Sequence, residues 1–343
     1  MKILHIADLH LGAKNSKLPK EKQDVLRDEM LENCYKLFNE QGAKFDVCLI
    51  CGDLFHSKSV SMKIIENFFA CVRAFGKPVI YVNGNHDEKL ILSTLPENFV
   101  VLDEGKTSFE TQDFVFCNAE HSQDIDLNKN NVLLLHGNIE SAKDNDYVDI
   151  THFLNKGFAY IALGHVHKVK KYKKGDNIFA YSGSLFSNGF DECGDKGYID
   201  VEINNNKVEK CEFKLLPQRN YIICEYDISK DNSNREIAEG IKKEIKNQGK
   251  SERDIVRVIL KGYYEESLNK SIPLLSEALQ DFFYIEFVDN SKLKIDVTKL
   301  KSETLSLKNE FISLVENAQI DGSLRQKIIN IGIEALKGDD FSL

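Results

Sequence analysis

Six of the nine histidines in this chain fall in five short polar segments, each following an apolar, β-branched run. The segments are Asp8-Leu-His10, Gly52-Asp53-Leu-Phe-His56, Gly84-Asn85-His86-Asp87, His136-Gly137 and Gly164-His165-Val-His167. Imidazole, carboxylate and amide oxygen together suit a divalent transition metal such as Mn, Fe or Zn, and are too nitrogen-rich for Ca. Asp-x-His and His-x-His put two ligand side chains on one side of a locally extended backbone, so each can give two groups to one ion. Gly52, Gly84 and Gly164 would let the chain turn sharply at a strand end and face the next side chain toward the metal. A lone histidine after a strand is ordinarily a satisfied structural residue. Five such segments share a reason only if they converge on one site.

Convergence requires elements that deliver the segments together. Short β-branched runs alternate with longer amphipathic ones over the first two hundred residues, the pattern of a layered α/β fold. Strands are expected at Ile3 to Ala7, Val47 to Cys51, Val79 to Val82, Val100 to Leu102, Phe114 to Asn118, Val132 to Leu135, Tyr160 to Leu163, Ile178 to Ser182, Tyr198 to Ile203 and Lys207 to Leu216. Helices are expected at Glu21 to Gln41, closed by Gly42, and at Ser61 to Phe75, closed by Gly76. Ligands in α/β sheets bind just beyond the carboxyl ends of strands, where all five segments would lie. Pro217 marks the end of this domain (1–217), and 218–296 then reads β-α-β-α-β, a smaller α/β domain. The tail, 297–343, reads as two amphipathic helices, with Leu305, Leu307, Phe311, Leu314 and Val315 on the first and Leu324, Ile328, Ile329, Ile331, Ile333 and Leu336 on the second.

The order D-x-H, G-D, G-N-H-D, H, G-H-x-H, over roughly residues 1 to 205, resembles the calcineurin-like metallophosphoesterase superfamily. The resemblance implies two divalent cations bridged by Asp53. Asp8, His10 and His167 would complete one metal, and Asn85, His136 and His165 the other. His86 would assist the leaving group, paired with Asp87. Protein phosphatases of that superfamily usually carry an Arg shortly after the G-D motif, where this chain has Leu-Phe-His56-Ser. That difference, with Met1-Lys-Ile-Leu-His-Ile-Ala-Asp-Leu-His-Leu-Gly12, Tyr181-Ser-Gly-Ser-Leu185 and Lys196-Gly-Tyr198, resembles the SbcD-type DNA-repair nucleases. The likeness implies a Mn-dependent exonuclease or endonuclease that processes DNA ends or double-strand breaks in repair and recombination. It implies His56 near the phosphate, 218–296 as a capping domain, and the tail as the grip on an SbcC-type ABC ATPase, and it admits a homodimer.

Composition narrows the rest. With 42% hydrophobic and 29% charged residues the chain can bury a core, and a net charge of −9 counts against wrapping nucleic acid by surface potential alone. Two divalent cations would outweigh Asp8 and Asp53 and leave a local positive site for a phosphate. Lys168, Lys170, Lys171, Lys173 and Lys174, with Tyr172, would sit on a hairpin beside the last ligand motif. They read equally as a DNA phosphate track or as a sheet edge guarded against aggregation. Cys48 and Cys51 point to opposite strand faces and so share no metal, and with Cys34, Cys71, Cys117 and Cys224, which also lie in apolar runs, they read as buried hydrophobes of a reducing, cytoplasmic protein. No signal peptide or membrane span is expected. His5 reads as structural. The enzyme alternative is a phosphatase or phosphodiesterase for a small phosphorylated substrate, and the non-enzymatic one a metal-free binding scaffold.

Overall fold

A computed structural model describes residues 1–13, 17–56, 60–87, 95–123, 125–294 and 307–337. The chain divides into two compact units. The first comprises Met1–Ile223, Glu252–Val256 and Phe282–Tyr284, and the second holds the remaining described residues.

Two six-stranded sheets build the first unit. One runs β12 (Lys207–Leu215), β11 (Gly197–Asn204), β1 (Lys2–Ile6), β2 (Val47–Cys51), β3 (Val79–Val82), β4 (Phe99–Leu102). The other runs β5 (Ser108–Glu110), β6 (Phe114–Cys117), β7 (Asn130–His136), β8 (Phe158–Gly164), β10 (Asn177–Tyr181), β9 (Lys170–Lys174). The strands preceding the ligand segments are parallel within each sheet: β1 with β2 and β2 with β3 in one, β7 with β8 in the other. Each sheet therefore sends its ligand loops out of one end. The three-residue β5 has too short an apolar run to be expected from the sequence.

Alternation along the strands assigns each side chain to a layer. Ile3, Leu49, Cys51 and Ile80 of the first sheet meet Phe116, Val132, Leu134, Tyr160 and Ala162 of the second in the core between them. The opposite face, with Leu4, Ile6, Cys48, Ile50 and Tyr81, packs on Cys34 of α1 (Lys20–Lys36) and on Ile64, Phe68, Cys71, Val72 and Phe75 of α2 (Met62–Phe75). Cys48 and Cys51 thus lie in different cores, as the period of two requires, and all eight cysteines are free thiols. Each fully buried Phe or Ile stabilises these layers by roughly 1.5–3 kcal/mol. Gly76 closes α2 in the left-handed region, at φ 65°. Gly42 does not close α1: it is right-handed, at φ −58°, and the helix continues through a wider turn at Leu37–Gln41. Its glycine answers a packing demand, since a Cβ there would meet the Phe75 ring at 2.8 Å.

Beyond β12 comes a three-stranded sheet of β13 (Tyr221–Asp227), β14 (Ile255–Lys261) and β15 (Tyr284–Asp289), with helices α3 (Asn234–Asn247) and α4 (Ile272–Ala278). Ser233 caps α3 by accepting the Glu236 N–H at 3.2 Å, and Ile237, Ala238, Ile241 and Ile245 form its buried stripe. Of the tail, helices Leu307–Asn317 and Gly322–Lys337 are described and pack through Ile312, Val315 and Ile329, while Leu305 lies outside the described residues. Among the described residues no helix is long and apolar enough to cross a membrane.

Candidate metal centre

The five ligand segments leave β1, β2, β3, β7 and β8 at their carboxyl ends, and short bonds tie the loops together. Asp8 N–H donates to the Gly52 carbonyl at 3.1 Å and His10 N–H to the Asp53 carbonyl at 2.9 Å. The His136 ring reaches the Cys51 carbonyl through Nδ1 at 2.9 Å, and the Asp8 carboxylate accepts the His165 N–H at 3.0 Å, so each sheet holds a side chain of the other. Asp8, His10, Asp53 and His165 all have positive φ, at 51°, 45°, 53° and 98°. Such backbone is uncommon for residues other than glycine and collects where side chains must be aimed.

Gly52 is left-handed at φ 80°, as a sharp turn requires. Gly84 and Gly164 are not; they are glycines because of close approach. A Cβ on Gly84 would fall 2.1 Å from Asp53 Oδ1, and one on Gly164 would fall 1.7 Å from the Cys51 carbonyl oxygen.

At the centre, Asp53 Oδ2 lies 3.6 Å from His10 Nε2 and 3.6 Å from His136 Nε2, one carboxylate oxygen midway between two imidazoles. His10 Nε2 is 3.2 Å from His167 Nε2 on one flank. On the other, His136 Nε2 is 2.9 Å from Asn85 Oδ1, and the His136 and His165 rings are 5.3 Å apart. Ligand atoms of Asp8, His10 and His167 fall within 4.8 Å of one another, as do those of Asp8, Asp53 and His136. Asp53 is 2% exposed and Asp8 fully buried.

Comparison with known proteins fits this geometry. The model of the calcineurin-like phosphoesterase superfamily domain matches residues 1–206. The chain belongs to the calcineurin-like phosphoesterase superfamily. Among curated proteins it is similar to the DNA double-strand break repair protein Mre11 of Methanocaldococcus jannaschii, 27% identical over 250 residues, covering 63% of this chain and 66% of that one. The chain thus spans just under two thirds of that relative's length. Solved structures it resembles include a dimetal phosphatase from Danio rerio, with TM-score 0.39, 10% identity, and coverage of 59% of this chain and 92% of that one. Another is Vps29 of Entamoeba histolytica complexed with zinc, with TM-score 0.34, 17% identity, and coverage of 61% and 89%.

Calcineurin-like metallophosphoesterases are dimetal enzymes, and the donor set here fits cations. Burial pushes the Asp8 carboxyl up to about 8, opposed by nearby His167 and reinforced by the charge of Asp53. A carboxylate in that position lacks positive charge, which a metal would supply. Burial lowers His10 to about 4 against the pull of Asp53, and lowers His136 as well, which keeps both rings neutral and able to ligate at neutral pH.

Around this phosphoesterase core, His56, His86 and Asn85 are exposed. The His86 ring lies 5.4 Å from that of His10 and 6.5 Å from that of His56, to which it is nearly parallel. Asp87 departs from its expected pairing with His86. Its carboxylate instead accepts backbone N–H groups of Leu54 at 3.2 Å, Phe55 at 3.1 Å and Gly84 at 3.0 Å, and clamps the Asp53 loop to the Asn85 loop. The lysine segment is the edge hairpin β9–β10 of the second sheet. Tyr172 is occupied there, stacked on Phe179 at 5.1 Å and bonded through its hydroxyl to Glu140, so it is not free to pack on a sugar or base. Lys170 pairs with Glu140 at 2.5 Å and Lys171 donates to the Cys211 carbonyl at 3.1 Å, while Lys168, Lys173 and Lys174 are exposed. Two carboxylates beside the converging histidines escaped sequence reasoning: Glu192, 2.8 Å from His167 Nδ1, and Asp144, 3.7 Å from His165 Nε2. Asp144 and Asp146 cluster with His165.

Proposed function

We propose that this chain is a Mn-dependent DNA nuclease that hydrolyses phosphodiester bonds at DNA ends or double-strand breaks through a two-metal site. The observation that carries the reading is Asp53 Oδ2, equidistant at 3.6 Å from His10 Nε2 and His136 Nε2. A single carboxylate oxygen between two imidazole-bearing flanks is what a bridged pair of cations requires. Asp8, His10, Asp53 and His167 would hold one metal, and Asp53, Asn85, His136 and His165 the other. When bound, the pair supplies positive charge to the phosphate and acidifies a water.

The chain's own groups do the rest. His86, exposed at the rim, donates a proton to the leaving sugar oxygen, and His56, parallel to it, faces the phosphate. Asp87 holds the two loops in register. The rim formed by His56, Asn85 and His86 is open to solvent, which suits a polymer better than an enclosed metabolite. The similarity to Mre11 supports DNA as the substrate. In the tail, Leu307 and Leu314, both more than 70% exposed, recur at seven residues, as do Leu324 and Ile331 on the second helix. That spacing suits docking on the helices of a partner, here an SbcC-type ABC ATPase.

The deciding experiment incubates the pure full chain with Mn(II) on labelled duplex DNA, single-stranded DNA, an aryl phosphodiester and an aryl phosphomonoester. Metal-dependent cleavage of DNA and diester, abolished by chelator, is expected. Hydrolysis confined to the monoester would replace the nuclease by a small-molecule phosphatase.

A further inference from the structure

Of the two histidines proposed on the Asp8 side of the centre, His167 is held from outside. Glu192, on the turn Phe190–Glu192 that precedes β11, places Oε1 2.8 Å from His167 Nδ1. A carboxylate only accepts, so Nδ1 carries the proton and Nε2 is left with its lone pair. Nε2 is the atom that points inward, 3.2 Å from His10 Nε2. The Glu192 side chain is 15% exposed, and its second oxygen, Oε2, is buried without a hydrogen bond, 3.9 Å from Lys196 Nζ. Lys196, with a side chain 3% exposed, donates to Ser184 Oγ at 2.7 Å and to the His167 carbonyl at 3.3 Å. The largely buried Glu192 thus fixes the ring of His167, and the buried Lys196 fixes the backbone beneath it. A largely buried carboxylate with one oxygen lacking a hydrogen bond is costly as a purely structural device, because the same fold could close over an apolar residue without desolvating that charge.

We propose that Glu192 is the positioning residue of the metal centre: it sets the tautomer and aim of His167, with Lys196 balancing its charge. The inference rests on the reading of His167 as a ligand. Metal-binding imidazoles that donate their other N–H to a carboxylate are held in orientation and made more basic, and loss of that partner typically weakens metal binding about 10–100-fold.

The test is a Mn(II) titration of the full chain, with free Mn(II) followed by electron paramagnetic resonance. Wild type is expected to bind two ions. Glu192→Ala should weaken one of the two by about 10–100-fold and leave the other unchanged. Glu192→Gln keeps an acceptor on Nδ1–H and should lose less. The double variant Glu192→Ala/His167→Ala should bind no more weakly than His167→Ala alone. Wild-type binding at both sites in Glu192→Ala overturns the proposal, as does equal weakening of both sites with a lowered metal-free Tm, which would make Glu192 merely structural. Retention of both ions by His167→Ala would instead remove His167 as a ligand and take the inference down by a separate route.

Discussion

The inner ring and the rim of the site are made of the same residue types in opposite surroundings. Asp8, His10 and Asp53 are at most 5% exposed, whereas His56, Asn85 and His86 face solvent one loop away. The inner residues are held by backbone N–H and carbonyl groups of neighbouring loops, and three of them sit in left-handed backbone. Such conformations cost on the order of 1–3 kcal/mol each, so the fold keeps them only because the surrounding layers over-determine them. The rim is tied to the ring at single points, the Asn85 side chain by His136 at 2.9 Å and the His86 backbone N–H by Asp53 at 3.0 Å, and its side chains stay open to solvent. Buried polar groups aimed inward are suited to holding something small and charged; exposed imidazoles are suited to touching something large that arrives.

The largest effect should follow from breaking the inner ring at its midpoint. Asp53→Asn keeps an acceptor for the His86 N–H but removes the charge shared by both flanks. Several kcal/mol of charge stabilisation would be lost, so diester hydrolysis should fall on the order of 10³-fold, together with Mn(II) stoichiometry. Steady-state hydrolysis and metal titration check this, and turnover within tenfold of wild type would mean that the ring does not bridge metals. His86→Ala should separate ring from rim. Loss of a proton donor costs on the order of 10²-fold in turnover, but both ions should remain bound. A variant that also lost metal would move His86 into the ring.

His5 sharpens the contrast, because it is as buried as the ring and is not part of it. Its Nδ1 is 2.9 Å from the Tyr160 hydroxyl between the two sheets. Burial brings it down to about 3, with a backbone contact to Leu163 opposing. The folded value lies below the ordinary one near 6.5, so the unfolded chain takes up the proton first as pH falls. The contribution to stability is therefore complete above pH 6.5 and is lost progressively toward pH 3. At pH 5 the loss is about 2 kcal/mol, roughly thirty-fold in the unfolding equilibrium. Urea unfolding of the metal-free protein at pH 7 and 5 should show His5→Gln losing that much less than wild type; equal losses would show that His5 is solvated.

The convergence of Asp8, His10, Asp53, His136 and His167 was legible in the residue pattern, because ligand-type residues recur directly after apolar runs that mark strand ends. Gly164 was legible as necessary but not for the right reason: the Cys51 carbonyl stands where its Cβ would be, and that depends on how two sheets stack, which no local pattern encodes. Asp87 was misread for a similar cause. A carboxylate next to His86 suggests a proton partner, and only the fold turns it toward three backbone N–H groups. Glu192 had no signal at all, since its bond to His167 spans 25 residues and starts from a turn with no periodicity.

The smallest effect is expected at the sheet edge, on Lys168 and the lysines of β9. Counterion release gives a slope in log affinity against log salt of about −0.9 for each phosphate contacted in duplex DNA. If Lys168, Lys173 and Lys174 tracked a backbone, reversing all three to Glu would flatten that slope by nearly three and cut affinity by orders of magnitude. The hairpin argues otherwise. Lys170 is engaged by Glu140, Lys171 by a carbonyl and Tyr172 by Phe179, and the strand is a sheet edge, where lysines keep other strands from adding. The triple Glu variant is therefore expected to bind duplex DNA within about threefold of wild type at moderate salt, with a slope changed by less than about one. A larger change would carry the substrate path across β9 and extend the exposed rim well beyond His56 and His86.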